Sequence, residues 1–274
     1  MTKIKICGIT NIVEVNFLNR YLPDYIGFVF TESKRRVTPE KAVDLAAGLS
    51  PAIRKVGVFV DMEPGEAAGI AAFVGLDVLQ LHGSENAEYI GLLRRLLKPG
   101  TEIWKAVRMG AGRGAGMGVR MGAGMDGENG NNGCNGSNGS NRKNSRLHAD
   151  TDVLSGSGTD DVAGAYGTHS AADAEQAYKS FESYGADRLI LDTYIANSSG
   201  GTGRTFDWGL AEKLKKLTPL PIVLAGGLHP GNVRQAIERI SPFAVDTSSG
   251  VEGDGIKDEE KVRNFIEAVR RESR

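Results

Sequence analysis

Short apolar runs rich in valine and isoleucine recur along the chain. They occupy residues 3–7, 25–30, 55–60, 77–81, 102–107, 188–191, 221–225 and 243–246. Most are too short for a buried helix, and glycine, proline or aspartate flanks many of them, which predicts eight β-strands. Between them lie stretches whose apolar residues return every three or four positions. Helices are predicted over 10–20, 39–49, 64–74, 86–97, 171–184, 208–217, 230–240 and 257–271. The first opens on Thr10 as N-cap, and the second on Thr38 followed by Pro39 at the first helical position. Regular alternation of strand and helix implies a parallel sheet. Eight units suggest closure into a (βα)8 (TIM) barrel, with an open doubly wound sheet as the other arrangement the pattern allows.

One stretch breaks the rhythm. From residue 109 to 169 glycine, asparagine, serine and aspartate dominate. Such a tract has too little apolar surface to offset its ordering entropy, so it reads as a flexible insertion in the loop after strand five. The rest of residues 1–274 reads as a single barrel domain. Gly122, Gly124 and Gly127 in the insertion match GxGxxG, but a dinucleotide fingerprint must follow a strand and open a helix. This one does neither. Cys134, in the same tract, reads as an exposed thiol.

Composition narrows the classes. The chain has 274 residues and a formal net charge of −1, with 40% hydrophobic residues. The length suits one barrel, and the charge gives no electrostatic reason to expect nucleic acid or an anionic membrane as partner. The first ten residues hold no leader-like apolar run, and no stretch approaches the ~18 apolar residues of a membrane span. Cys7 and Cys134 stand far apart, so a disulfide framework is not expected and a reducing cytoplasm fits. His82, His148, His169 and His229 show no metal-ligand spacing, and no metal is expected.

In such a barrel the active site lies at the C-terminal ends of the strands. The residues there are Cys7 after strand one, Arg35 and Arg36 after strand two, and Asp61 after strand three. Gln80 and His82 follow strand four, Asp192 strand six, Gly226 and Gly227 strand seven, and Asp246 through Gly250 strand eight. Gly226 and Gly227 leave backbone N–H groups open to an anion, and Ser248, Ser249 and Gly250 can open a short extra helix. Together they predict a phosphate site at the place where barrels commonly hold one. Gly201 and Gly203, after strand six, suit a loop that approaches a ligand closely or a plain connector. A strand-end cysteine is usually core, and an aspartate after a strand often caps a turn. Strands one and six lie on roughly opposite sides of the ring, however, so Cys7 and Asp192 can flank a ligand from two faces. A thiol needs nearby cations to serve as a base, and Arg35 and Arg36 are candidates.

Several segments carry a family resemblance: residues 5–10 (KICGIT), 27–30 (GFVF) with 33–35, 56–60 (VGVFV), 78–83 (VLQLHG), 200–208 (GGTGRTFDW), 224–228 (LAGGL) and 244–252 (AVDTSSGVE). In this order, over nearly the whole chain except the insertion, they resemble the phosphoribosylanthranilate isomerases of tryptophan biosynthesis. The resemblance implies an Amadori rearrangement of N-(5-phosphoribosyl)anthranilate to 1-(2-carboxyphenylamino)-1-deoxyribulose 5-phosphate, an aldose–ketose isomerisation. It implies that Asp192 is the general acid at the ribose ring oxygen and Cys7 the general base at C2′. Arg35 would pair with the anthranilate carboxylate. Gln80, His82 and Asp246 are expected beside the substrate. No cofactor is implied, because the iminium itself is the electron sink. The partner is a small phosphorylated substrate, and the chain is expected to be a monomer or homodimer.

Three other readings compete. Indole-glycerol-phosphate synthase chemistry needs a catalytic lysine, for which Lys105 is the strand-end candidate. The histidine-pathway isomerase uses an aspartate where strand one here offers Cys7. A non-catalytic barrel with the insertion as an interaction module is the third.

Overall fold

A computed structural model describes residues 1–108, 185–192, 211–212, 215–216 and 218–271. Eight parallel strands close into a barrel in the order β1 to β8. They are β1 (Lys3–Cys7), β2 (Tyr25–Val29), β3 (Arg54–Phe59), β4 (Val78–Leu81), β5 (Glu102–Arg108), β6 (Arg188–Asp192), β7 (Ile222–Ala225) and β8 (Ala244–Thr247). The ring shuts where β1 pairs with β8, Lys5 standing opposite Asp246. Every predicted strand is present to within a residue or two, and the closed ring replaces the open-sheet alternative.

The described helices are α1 (Ile12–Tyr21), α2 (Pro39–Ala47), α3 (Pro64–Val74), α4 (Ala87–Leu96), α5 (Val233–Ile240) and α6 (Glu259–Arg270). The Thr38–Pro39 start holds, with the Thr38 side chain accepting from the Lys41 N–H. The N-cap of α1 is Asn11 rather than Thr10. Asn11 and Glu14 form a reciprocal capping box, the pairing that satisfies two orphan helix donors at once. The Thr10 N–H instead reaches Glu14 Oε2 at 2.5 Å. Glu14 is buried, and its other oxygen accepts from the Lys257 N–H at 2.9 Å. One carboxylate thus ties the loop after β1 to the chain after β8. Lys257, expected to begin the last helix, lies instead in a two-residue strand, β10 (Ile256–Lys257), antiparallel to β9 (Glu252–Gly253). Asp258 caps α6.

Alternation along each strand makes two cores. Residues such as Ile4, Ile6, Leu79, Leu81, Leu189 and Leu191 pack between strands and helices. Tyr25, Val56, Val78, Trp104, Ile190, Val223 and Ala244 form a separate cluster inside the ring. The floor of that interior is aromatic and charged. Tyr25 meets Trp104 edge-on at 4.9 Å, and the Arg188 guanidinium lies over the Phe243 ring at 4.1 Å. Glu102 joins them, accepting from Trp104 Nε1 at 2.8 Å and from Arg54 at 2.7 Å, and pairing with Arg188. Burial works against the Glu102 charge, but these donors outweigh it and hold its carboxyl below the usual range. Conserving this end for packing leaves the opposite rim for chemistry.

The insertion at 109–169, the predicted helix at 171–184 and most of that at 208–217 lie outside the described residues.

The floor yields a stability prediction. Trp104 is fully buried and anchors both rings and Glu102. Trp104→Ala should lower unfolding free energy by about 3–5 kcal/mol, measured by urea denaturation followed by circular dichroism. A loss below ~1 kcal/mol would show that the floor does not support the ring.

Candidate active site

With Ile4 and Ile6 facing the helices, Lys5 and Cys7 face the interior. Cys7 is partly accessible at the mouth, whereas Lys5 directly beneath it is fully buried. Lys5 Nζ lies 2.7 Å from Asp246 Oδ2, and its charge acts on the Cys7 thiol, two residues on along the same face of the strand. The other Asp246 oxygen, Oδ1, is buried without a hydrogen-bond partner among the described residues. Burial pushes the Cys7 thiol above its ordinary value; Lys5 pulls it down, Asp246 pushes it up again, and the balance stays high. Burial also raises Asp246, against the opposing pull of Lys5. For Lys5 burial acts to lower the value, but the charges of Asp246 and Cys7 outweigh it and its affinity for the proton is raised. Gly27, paired with Cys7 across β1 and β2, keeps the sulfur uncovered: a Cβ there would stand 2.7 Å from Sγ.

A second group descends from β4 and β6. Gln80 Nε2 lies 3.1 Å from His82 Nδ1, and His82 Nε2 lies 3.0 Å from Asp192 Oδ2. Gln80 is buried, and its Oε1 has no partner among the described residues. Gln80 and His82, expected beside the substrate, therefore form a chain that ends on Asp192. The charges of Asp192 and His82 are both felt at Asp246, so the two groups share one mouth.

Arg35 comes from the loop after β2. Its Nε and Nη2 donate to the two Glu252 oxygens at 2.6 and 2.7 Å, a bidentate grip that fixes the plane of the guanidinium. Lys257, its side chain fully buried, pairs with the same carboxylate. Burial alone would raise the Glu252 carboxyl, but Arg35 and Lys257 hold it down at about 2. Lys257 Nζ also reaches Ser248 Oγ at 3.2 Å, and that hydroxyl donates to the Cys7 carbonyl at 3.0 Å. Arg36 stands apart, paired with Glu32 at the surface.

The loops after β7 and β8 meet. Gly226 and Gly227 both have positive φ, 91° and 64°. The residues Ser249–Val251 form a 3-10 turn. Thr247 Oγ1 donates to Leu228 O at 2.7 Å, and a Cβ on Gly250 would stand 1.9 Å from that same oxygen. Only glycine at 250 lets the two loops touch. Because the Ser248 hydroxyl is engaged by Cys7 and Lys257, an anion here would be met by the turn backbone and by Ser249.

Two rim residues prove structural. Asp61 Oδ1 accepts from Ser84 N and Oγ, both at 2.6 Å, tying two loops together. Lys105 points away from the interior, alternating with the inward Trp104 and Ala106; its Nζ meets Glu85 and the Gly83 carbonyl at 2.7 Å each. The lysine that synthase chemistry would use is therefore outside the barrel, and the interior lysine is Lys5. Gly201 and Gly203 lie outside the described residues. No group of acids, histidines and cysteines among the described residues could hold a metal ion. No described helix is long and apolar enough to cross a membrane.

Reading site by site missed Lys5, Glu252 and Lys257. Lys5 was recoverable, since in KIKIC two outward isoleucines force the lysine between them inward. Lys257 had no local signal, because only the β9–β10 pairing brings it back to the rim.

A closed parallel ring with ionisable groups gathered at the carboxyl ends of its strands defines a (βα)8-barrel enzyme. The model of the N-(5'-phosphoribosyl)anthranilate (PRA) isomerase family matches residues 4–113 and 161–268. The chain is 35% identical over 271 residues to the N-(5'-phosphoribosyl)anthranilate isomerase of Clostridium acetobutylicum, covering 99% of each. It is 35% identical to that of Acetivibrio thermocellus, covering 98% of this chain and 96% of the relative. Among solved structures, the phosphoribosyl anthranilate isomerase of Thermotoga maritima superposes with a TM-score of 0.67 at 30% identity, covering 98% of each chain. The chain belongs to the N-(5'-phosphoribosyl)anthranilate isomerase family. The family match stops at 113 and resumes at 161, inside the stretch read as an insertion.

The Glu252 grip has a pH signature. A carboxyl held at about 2 in the fold and near its ordinary 4.5 when unfolded stabilises the protein above the ordinary value. That contribution disappears as pH falls toward the folded value. The stability gap between wild type and Glu252→Gln should therefore be widest above about pH 5 and shrink steadily toward about pH 2. Denaturant melts at each pH measure it; a gap independent of pH contradicts the grip.

Proposed function

We infer that the chain catalyses the isomerisation step of tryptophan biosynthesis, with Cys7 as general base and Asp192 as general acid. The activity is that of its family, an aldose–ketose isomerisation of N-(5-phosphoribosyl)anthranilate. A related solved structure holds reduced 1-(o-carboxyphenylamino)-1-deoxyribulose 5-phosphate, a molecule of the product's shape. The observation that carries the residue roles is the pairing on one rim of a lysine-backed thiol on β1 with a histidine-backed carboxylate on β6.

The substrate's phosphate sits at Gly226, Gly227, Ser249 and Gly250, with the Ser248 backbone completing the turn. Its anthranilate carboxylate meets Arg35. Glu252 occupies the Nε–Nη2 edge of that guanidinium, so the substrate takes the Nη1–Nη2 edge. Asp192 then delivers a proton to the ribose ring oxygen as the C1′–O bond breaks, and the nitrogen lone pair forms the iminium. Cys7 as thiolate removes the C2′ proton, giving the enolamine. A proton then enters at C1′ as the C2′ hydroxyl gives up its own, producing the ketone; the two protons taken up match the two released, so none is gained or lost overall.

The Gln80–His82 chain holds Asp192 in place. The Gln80 amide Nε2 donates to His82 Nδ1, which leaves the proton on Nε2 to be donated to the ionised Asp192. Gln80 and His82 act as positioning residues. The insertion at 109–169 is an excursion from the catalytic rim without a part in the chemistry. The chain works in the cytoplasm, as a monomer or homodimer.

Two experiments test this reading. Purified protein should convert phosphoribosylanthranilate without added metal or cofactor, followed by the loss of anthranilate fluorescence. Cys7→Ser and Asp192→Asn should each lower kcat by at least about 100-fold, the usual scale of acid–base catalysis. Near-full rates in both variants would sink the assignment. Deleting residues 110–167 should leave kcat and KM within a few-fold of wild type, whereas a collapse in kcat would make the insertion part of the site.

A further inference from the structure

Cys7 presents a difficulty that the isomerisation alone does not resolve. A base must be deprotonated when substrate arrives, yet the thiol lies in a setting that favours its neutral form. The charged groups facing it come from four elements: Lys5 on its own strand, Asp246 on β8, Arg35 after β2, and Lys257 on β10. Arg35 and Lys257 both hold Glu252, and each is directed to that carboxylate. Lys5 alone stands beneath the sulfur on the same strand face and pairs with a carboxylate inside the ring.

We propose that Lys5 is the cation that makes Cys7 a base, and that Asp246 is the counter-ion that positions Lys5 and sets how basic the thiolate remains. The proposal rests on the reading of Cys7 as the base and assigns that base its partners. The geometry follows from strand period and register. Residues two apart on β1 share the interior face, which stacks Lys5 directly below Cys7. The β1–β8 register places Asp246 opposite Lys5, 2.7 Å from its ammonium. Fully buried, Lys5 has no water to share its charge with, so its field acts on Asp246 and on the thiol above it. Asp246 Oδ1 accepts no hydrogen bond among the described residues, so no second donor quenches its charge.

The two partners pull in opposite directions. When the thiol ionises, its proton leaves to solvent through the open mouth, and the negative sulfur is held by the Lys5 ammonium. With Lys5 unopposed, the thiolate would form readily but would be too weak a base to draw a proton from carbon. The Asp246 carboxylate partly offsets that field and keeps the sulfur basic near neutral pH, where catalytic proton transfer is most effective. Cys7, Lys5 and Asp246 therefore act as one unit.

The readout is the pH at which Cys7 becomes a thiolate, measured by the rate of iodoacetamide alkylation in a Cys134→Ser background so that only one thiol reports. Lys5→Met should raise that midpoint by at least about one pH unit, a tenfold change in ionisation. It should also lower kcat at pH 7 with little change in KM. Asp246→Asn, which keeps the shape and removes the charge, should move the midpoint down. A purely structural role for the pair would shift both variants the same way or neither. A midpoint in Lys5→Met within about 0.3 unit of the parent overturns the proposal, as does an upward or absent shift in Asp246→Asn. If Lys5→Met fails to fold, the sign of the Asp246→Asn shift decides. The alkylation arm is independent of turnover: full activity in Cys7→Ser would remove Cys7 as the base, while the midpoints would still show whether Lys5 governs its thiol.

Discussion

Closing eight strands into a ring divides every strand's side chains between a helix-covered outside and an interior sealed from water. A charge placed inside must find its partner inside. That constraint organises the molecule. At the floor it is met by Glu102 shared between Arg54 and Arg188, and in the middle by Lys5 and Asp246 across the closing seam. At the mouth it is met by Glu252 between Arg35 and Lys257. Isolated, any of these charges would cost several kcal/mol to bury. Paired, each charge has its counter-ion, and the three-member groups at the floor and at the mouth each keep one net positive charge.

The same economy of pairing shapes the chemistry. The two proposed reacting groups are each backed by a residue one step deeper in the barrel: Lys5 beneath Cys7, and Gln80 with His82 behind Asp192. The reacting group at the mouth can change its charge because its neighbour does not move. Arg35 follows the same rule, since Glu252 fixes its plane before any ligand arrives. The site is therefore prepared in the folded chain, with its donors and charges already oriented.

Much of this was legible in the sequence, for a physical reason. Strand period is short and local, so eight apolar runs located eight strands, and the rim followed from where each run ended. Thr38–Pro39 announced a helix start because both residues act on the first turn alone. Thr10 misled for a related reason: Thr10 and Asn11 are both good caps, and the buried Glu14 chooses Asn11 through a reciprocal bond. Cys7, Asp192 and Asp246 could be placed from strand ends, but their partners could not be read so easily. Glu252 meets Arg35 across 217 positions of sequence, and no local pattern predicts that encounter. Lys105 looked available until Glu85 turned out to face it from outside the ring.

The seam between β1 and β8 carries a consequence for how the chain comes into being. Lys5 and Asp246 stand 241 residues apart, so the lysine leaves the ribosome long before its counter-ion exists. At typical synthesis rates of ~5–20 residues per second, that interval is on the order of tens of seconds. Throughout it, the first strand cannot take its final place without burying a lone charge. Glu14 likewise receives one of its donors, the Lys257 N–H, only from the far end of the chain. The barrel's two ends thus complete each other's polar pairing, and the closing seam is among the last contacts that synthesis can supply.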